Sequence, residues 1–136
     1  MHSIETEFIK NFIKPHRQER WLACLASTNK RSAFLDCLNH CRDFEDQHVR
    51  IIRSSSQLEE ALHRVGGEDE CYILSSDPKL DGYWVKLDTA MELVRASGWG
   101  TALVFENGSL AYYFDECGER ELVLNRERVN KDDEKY

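Results

Sequence analysis

The chain is 136 residues long, 41% hydrophobic, 10% aromatic and 32% charged. That is a globular composition with enough apolar material for one core, and it excludes a disordered chain, which lacks the aromatics needed to offset conformational entropy. The first 20 residues carry Lys10, Lys14, Arg17 and Arg20, so no secretory leader is expected there; the longest apolar run, Trp21 to Ala26, is too short to span a bilayer. A cytoplasmic location with no membrane partner is expected. Five cysteines, an odd number in a reducing compartment, are expected to be buried thiols rather than a disulfide framework.

The net charge is −7, unevenly distributed: residues 1–53 hold nine Lys/Arg against seven Asp/Glu, and residues 54–136 hold nine against eighteen. A duplex-binding protein needs a dense cationic stripe to neutralise phosphates, so this balance argues against nucleic acid as the main partner.

In chain order, Ser3 opens a first helix with Ile4, Phe8 and Phe12 on one side. Pro15 starts a second helix bearing Trp21, Leu22 and Leu25. A third helix, about Lys30 to Arg42, places Phe34, Leu35, Leu38 and Cys41 on one face. Val49 to Ile52 has a strand pattern. Ser56 with Glu59 offers a capping box for a helix burying Leu58, Ala61, Leu62 and Val65, closed by Gly66 and Gly67. Cys71 to Leu74 is a buried-strand run. Strand, helix and strand in that order predict a βαβ unit with parallel strands adjacent or nearly so. Tyr83 to Lys86 is extended, and Asp88 is the expected cap of a helix carrying Ala90, Met91, Leu93 and Val94.

Asn107-Gly108 between two apolar runs is a type I′ hairpin signal, since both residues tolerate positive φ. It pairs Phe105 with Leu110, Leu103 with Tyr112 and Thr101 with Phe114. The opposite face, Ala102, Val104, Ala111 and Tyr113, is smaller but hardly polar, so both faces are expected to be covered, one by helices that need small residues beneath them. Arg120 to Asn125 supplies a third antiparallel strand, with Leu122 and Leu124 inward. The predicted fold is α+β: a helical part, 1–46, on a mixed sheet in the α/β part, 47–125, with a charged tail over 126–136.

Four groups are candidate sites. Cys37, His40, Cys41 and His48 have helix spacing compatible with zinc, but Cys37 and Cys41 share the apolar face and no second cysteine pair exists, so neither metal nor cofactor is expected. Ser75, Ser76, Asp77, Asp81 and Gly82 follow a strand and could line a small-molecule site, or simply make a turn. Lys14, His16, Arg17, Arg20, Trp21, Lys30 and Arg31 could meet RNA if Trp21 were exposed. Asp115, Glu116, Glu119 and Glu121 beside Tyr113 form an acidic edge suited to a basic protein, with charge steering the encounter and the aromatic anchoring it.

No activated nucleophile, phosphate loop or dinucleotide fingerprint is present, so an enzyme is the minority reading. The expected function is non-catalytic binding of a basic protein, in the manner of immunity proteins or antitoxins. A small-molecule or nucleotide enzyme using the 75–82 loop is the first alternative, and RNA binding through the N-terminal helices the second.

Overall fold

The Asn107-Gly108 turn organises the sheet. In the computed structural model, which describes residues 3–126, Asn107 has φ 57° and ψ 24°, Gly108 has φ 96°, and the Ser109 N–H donates to the Glu106 carbonyl at 3.2 Å. These are the signs of a type I′ turn, whose twist matches that of the flanking strands. It aligns β4 (Thr101–Phe105) with β5 (Leu110–Phe114) in the expected register, Phe105 opposite Leu110 and Thr101 opposite Phe114. The third strand follows as β6 (Glu121–Asn125), with Leu122 and Leu124 buried.

Adding β1 (Val49–Ile51), β2 (Glu70–Ser75) and β3 (Trp84–Lys86) gives six strands in the order β1-β6-β5-β4-β2-β3, every neighbouring pair antiparallel. The sheet is therefore not mixed. β1 and β2 run in the same direction, but β6, β5 and β4 lie between them, so the expected βαβ pairing is replaced by a meander inserted between its strands. Local sequence fixes strand direction through connection length; it does not show which later strands will fill the gap.

Both sheet faces are covered. Tyr72, Leu74, Ala102, Val104, Ala111, Tyr113, Leu122 and Leu124 pack beneath α1 (Ser3–Phe12), α2 (Pro15–Ala26) and α3 (Arg31–Leu35). The bulkier face, with Ile73, Leu103, Phe105, Leu110, Tyr112 and Phe114, packs against α4 (Ser55–Ala61) and α5 (Leu87–Ser97). Small residues on the first face let backbone approach backbone: a Cβ on Gly100 would fall 2.0 Å from the Leu38 carbonyl oxygen. No helix among the described residues is long and apolar enough to cross a membrane.

Three local expectations need correction. The third α-helix stops at Leu35 and tightens into a 3₁₀ segment, Asp36–His40. Continuation to Arg42 would need the Leu38 C=O and the Cys41 N–H for its own ladder. Instead the Tyr113 hydroxyl takes both, donating to Leu38 at 2.6 Å and accepting from Cys41 at 3.1 Å. The α4 cap is Ser54, which accepts from the Gln57 N–H, while the Gln57 side chain accepts from the Arg53 N–H at 2.7 Å; the capping pair lies two residues before the Ser56/Glu59 pair. Asp88 does not cap α5. It sits in the first turn after Lys86, and the Leu87 and Asp88 N–H groups donate to the Asp69 and Gly67 carbonyls. The charged tail predicted over 126–136 lies, beyond Arg126, outside the described residues.

Gly100→Ala is expected to lower unfolding free energy by about 3 kcal/mol through overpacking against Leu38. Gly98→Ala, where φ is 74° and nothing lies within 4 Å of the added carbon, should cost about 1 to 2 kcal/mol from backbone strain alone. Urea unfolding of both variants measures the difference.

Candidate functional site

A densely connected polar cluster is built where the helical layer meets the sheet. Glu5 falls among Ile4, Phe8, Ile9 and Phe12 on the inward side of α1 and is only 1% exposed. Arg31, opening α3, meets it as a fork: Nη1 donates to Oε1 at 2.8 Å and Nη2 to Oε2 at 2.6 Å. The same guanidinium donates through Nε to Asp81 at 2.8 Å and through Nη1 to the Leu25 carbonyl at 3.2 Å. The Tyr72 hydroxyl of β2 donates to Glu5. One cation thus holds two carboxylates that are far apart in the sequence, Glu5 and Asp81. The bonds to Glu5, outweighing burial, raise the Arg31 pKa further above its ordinary value, and burial, then the bond to Glu5, raises that of Tyr72.

Within the predicted small-molecule loop, each polar side chain has a structural partner. Asp81 Oδ1 accepts from the Ser75 N–H at 3.1 Å. The Ser75 hydroxyl lies 2.8 Å from that of Thr101, Ser76 donates to Asn39 at 3.0 Å, and Asp77 accepts from the Lys79 N–H and the Ser97 hydroxyl. Gly82 turns the chain at φ 86°. A cavity of about 150 Å³ remains beside Arg31, Ser75, Ser76 and Asp81, below the roughly 300 Å³ at which ligand clefts begin.

The predicted acidic edge is likewise used internally. β6 is flanked by β1, so it is not an edge strand. Tyr113 is fully buried, clamped between Leu38 and Cys41, and cannot anchor a partner. Asp115 is buried and accepts from the Arg120 N–H at 2.8 Å; Glu116 meets His40 at 3.2 Å; Glu121 accepts from the Tyr112 hydroxyl. Glu119 remains exposed. Burial raises the pKa of both Tyr112 and Tyr113, reinforced at Tyr112 by the bond to Glu121 and opposed at Tyr113 by the bond from the Cys41 N–H.

The basic stretch is dispersed. Trp21 is fully buried, its indole N–H donating to Asp43 at 2.9 Å, so it offers no face to a base. Arg17 pairs with Asp43, and Arg31 is committed to the cluster above. Cys41 is buried and Cys37 packs partly against the same core. Interaction with the Cys41 thiol, reinforced by burial, raises the Cys37 pKa far above its usual range, and burial with Glu70 nearby pushes Cys71 up to about 12. Such thiols are poor nucleophiles. No group of three potential metal-ligating side chains occurs among the described residues.

The surface that sequence reasoning missed is a groove of about 510 Å³ between α5 and the outer edge of the sheet. Its walls are Ile73, Leu80, Tyr83, Val85, Leu93 and Ala96, with Asp77, Lys79 and Ser97 at one end. Tyr83 is 60% exposed and Leu93 38%; Trp84, on the other side of the same strand, is 45% exposed and packs edge-on against Tyr72. Among the described residues β3 pairs with β2 alone, so its outer side carries no strand partner there. The legible signal was the adjacent pair Tyr83-Trp84: successive strand residues point to opposite faces, and an edge strand covers neither well. No family model matches the chain, and neither curated proteins nor solved structures yield a match.

Arg31→Met leaves Glu5 and Asp81 without their shared cation and should cost about 3 to 5 kcal/mol. The triple change with Glu5→Gln and Asp81→Asn should recover much of that loss, as denaturant midpoints will show.

His48 gives a pH prediction. It is 1% exposed, its Nδ1 has no hydrogen-bond partner among the described residues, and Arg126 Nη1 lies 2.5 Å from Nε2. Burial first and Arg126 second lower its pKa below the ordinary 6.5. The unfolded chain therefore takes up this proton at a higher pH than the folded one, so the contribution is present above about pH 6.5 and is lost as pH falls through the lower folded value. His48→Gln should flatten the decline in stability below neutral pH, measured by urea titration at each pH.

Proposed function

We propose that this protein is a non-catalytic protein-binding module that docks a positively charged partner on the outer edge of β3 and the apolar groove beside it. The observation that carries this reading is the exposure of Tyr83 and Leu93 in the walls of one groove beside an edge strand, with Trp84 exposed on that strand's other side. Buried aromatic and aliphatic anchors dominate binding energy at interfaces, and monomers rarely leave such residues clustered in water.

Charge complementarity argues for a basic occupant. Exposed Glu68, Asp69 and Glu70 precede or begin β2 next to β3, and exposed Asp88 and Glu92 lie on α5, with Glu92 one turn before Ala96 of the groove wall. Lys86 is engaged with Glu68 at 3.1 Å. On a chain of net charge −7, these carboxylates would repel a second copy and steer a cationic protein. The mode is that of a small acidic inhibitor, with the anchor at β3 in place of Tyr113. The small-molecule alternative is less favoured because the 75–82 side chains are occupied in holding their own loop.

A benzophenone side chain installed at position 83 should cross-link one net-positive protein, whereas the same group at exposed position 53 should not. With that partner purified, Tyr83→Ala or Leu93→Ala should each weaken binding about 30-fold, the equivalent of a 2 kcal/mol anchor. Fold stability should change by less than about 0.5 kcal/mol. Reversing Glu70 and Glu92 to Lys should slow association. Cross-linking of the protein to itself, or unchanged affinity in both groove variants, refutes the reading.

A further inference from the structure

The opposite edge of the sheet carries a surface of contrary charge. A cavity of about 420 Å³ opens at β1, where the N-terminal helical layer meets β6. Three cations line it: Lys14 immediately before α2, Arg42 after the 3₁₀ segment, and Arg120 before β6. Among the described residues Asp46 is the one carboxylate in the lining. The apolar part of the lining is Phe44, Val49 and Leu122, with the buried Cys41 beside them and the more exposed Ile51 at the mouth.

These features do not follow from the needs of the fold. Arg120 is held in place, Nη2 donating to the Cys41 carbonyl at 2.7 Å and its guanidinium lying 5.9 Å from the Tyr113 ring centroid. A positioned guanidinium with further N–H donors is suited to an oxyanion. Arg42 is exposed and Lys14 half-buried, and neither makes an ion pair among the described residues. The first turn of α2 contains no acidic residue, so the positive end of that helix adds to the same field. Ile51, at the mouth, is half exposed although it belongs to a strand. The lining thus has a formal charge of +2 on a chain of net charge −7, beside apolar surface open to water.

We infer that this cavity is a binding site for a small organic oxyanion with an apolar body, its charged group among Arg42, Arg120 and Lys14 and its body against Ile51, Val49 and Leu122. The volume falls within the range of about 300 to 1,000 Å³ usual for small-molecule sites, and an apolar wall with a few converging polar groups is their common construction. A carboxylate and a phosphate ester share the required headgroup chemistry. Asp46 disfavours a bare multivalent anion and leaves room for one that gains most of its affinity from the apolar part. The site is independent of the β3 groove, because β1 and β3 are the two opposite edges of the sheet.

Titration of the protein with 2-naphthoate, 2-naphthyl phosphate, 2-naphthamide and inorganic phosphate, followed by calorimetry and amide chemical shifts, tests the inference. One or both naphthyl anions should bind saturably, about tenfold or more tighter than the neutral amide and than inorganic phosphate, which corresponds to at least about 1.4 kcal/mol for each half of the recognition. Whichever anion binds more tightly specifies the headgroup. Shifts should concentrate at Arg42, Phe44, Val49 to Ile51 and Arg120 to Leu122, and added salt should weaken binding. Arg42→Gln combined with Lys14→Gln should lose at least tenfold in affinity with an unchanged unfolding midpoint, whereas Trp84→Ala should bind normally. Equal binding of the amide, equal binding of inorganic phosphate, shifts elsewhere, or no saturable binding of either naphthyl anion overturns the inference.

Discussion

The fork of Arg31 onto Glu5 and Asp81 is the interaction on which the union of the two halves depends. Glu5 belongs to α1, Arg31 to α3 and Asp81 to the loop after β2, and Tyr72 of β2 adds its hydroxyl to the same carboxylate. A buried carboxylate is costly unless paired and hydrogen-bonded, and here the apolar side of α1 can be buried only if Arg31 is in place. The cluster therefore acts as a constraint on register: it admits the helical layer in one position on the sheet. Hydrophobic packing alone would tolerate small slides of α1 over the Ala102 and Ala111 surface.

Tyr113 supplies a second constraint of the same kind. Its hydroxyl diverts the Leu38 carbonyl and the Cys41 N–H from a helical ladder, ending α3 early and bringing the 3₁₀ segment down on Gly100. Phe44 packs edge-on against its ring, and Arg120 lies over it. Arg120 is thereby fixed at the lip of the cationic cavity, so a core residue determines the geometry of a surface. Buried polar contacts shape both sides of the molecule in this way, while the β3 groove is shaped by what is missing beyond an edge strand.

The two sheet edges present opposite chemistries. At β3, exposed aromatic and aliphatic side chains lie among carboxylates; at β1, cations surround an apolar floor. Charge separation of this kind is compatible with a net charge of −7 because the basic first half of the sequence supplies two of the three cations at β1, Lys14 and Arg42, with Arg120 from the second half, while that acidic second half supplies Glu68 to Glu70, Asp88 and Glu92. The asymmetry visible along the chain becomes an asymmetry between edges once the sheet is formed.

By itself the sequence determined what depends on neighbours a few residues away. The I′ turn at Asn107-Gly108 dictated the β4–β5 register, Pro15 dictated the start of α2, and the alternation of large and small residues across the hairpin dictated that two layers would cover it. Tertiary structure decided which strands became neighbours and which polar side chains remained available. Glu5, Arg31, Asp81, Asp115 and Tyr113 look like surface chemistry in a linear reading, because residue type records polarity and not the partner that will satisfy it. Those partners lie 26 to 75 residues away for the bonds Glu5–Arg31, Arg31–Asp81 and Tyr113–Leu38. Exposure of Tyr83 and Trp84 follows from strand order, a property of the whole sheet that no local period encodes.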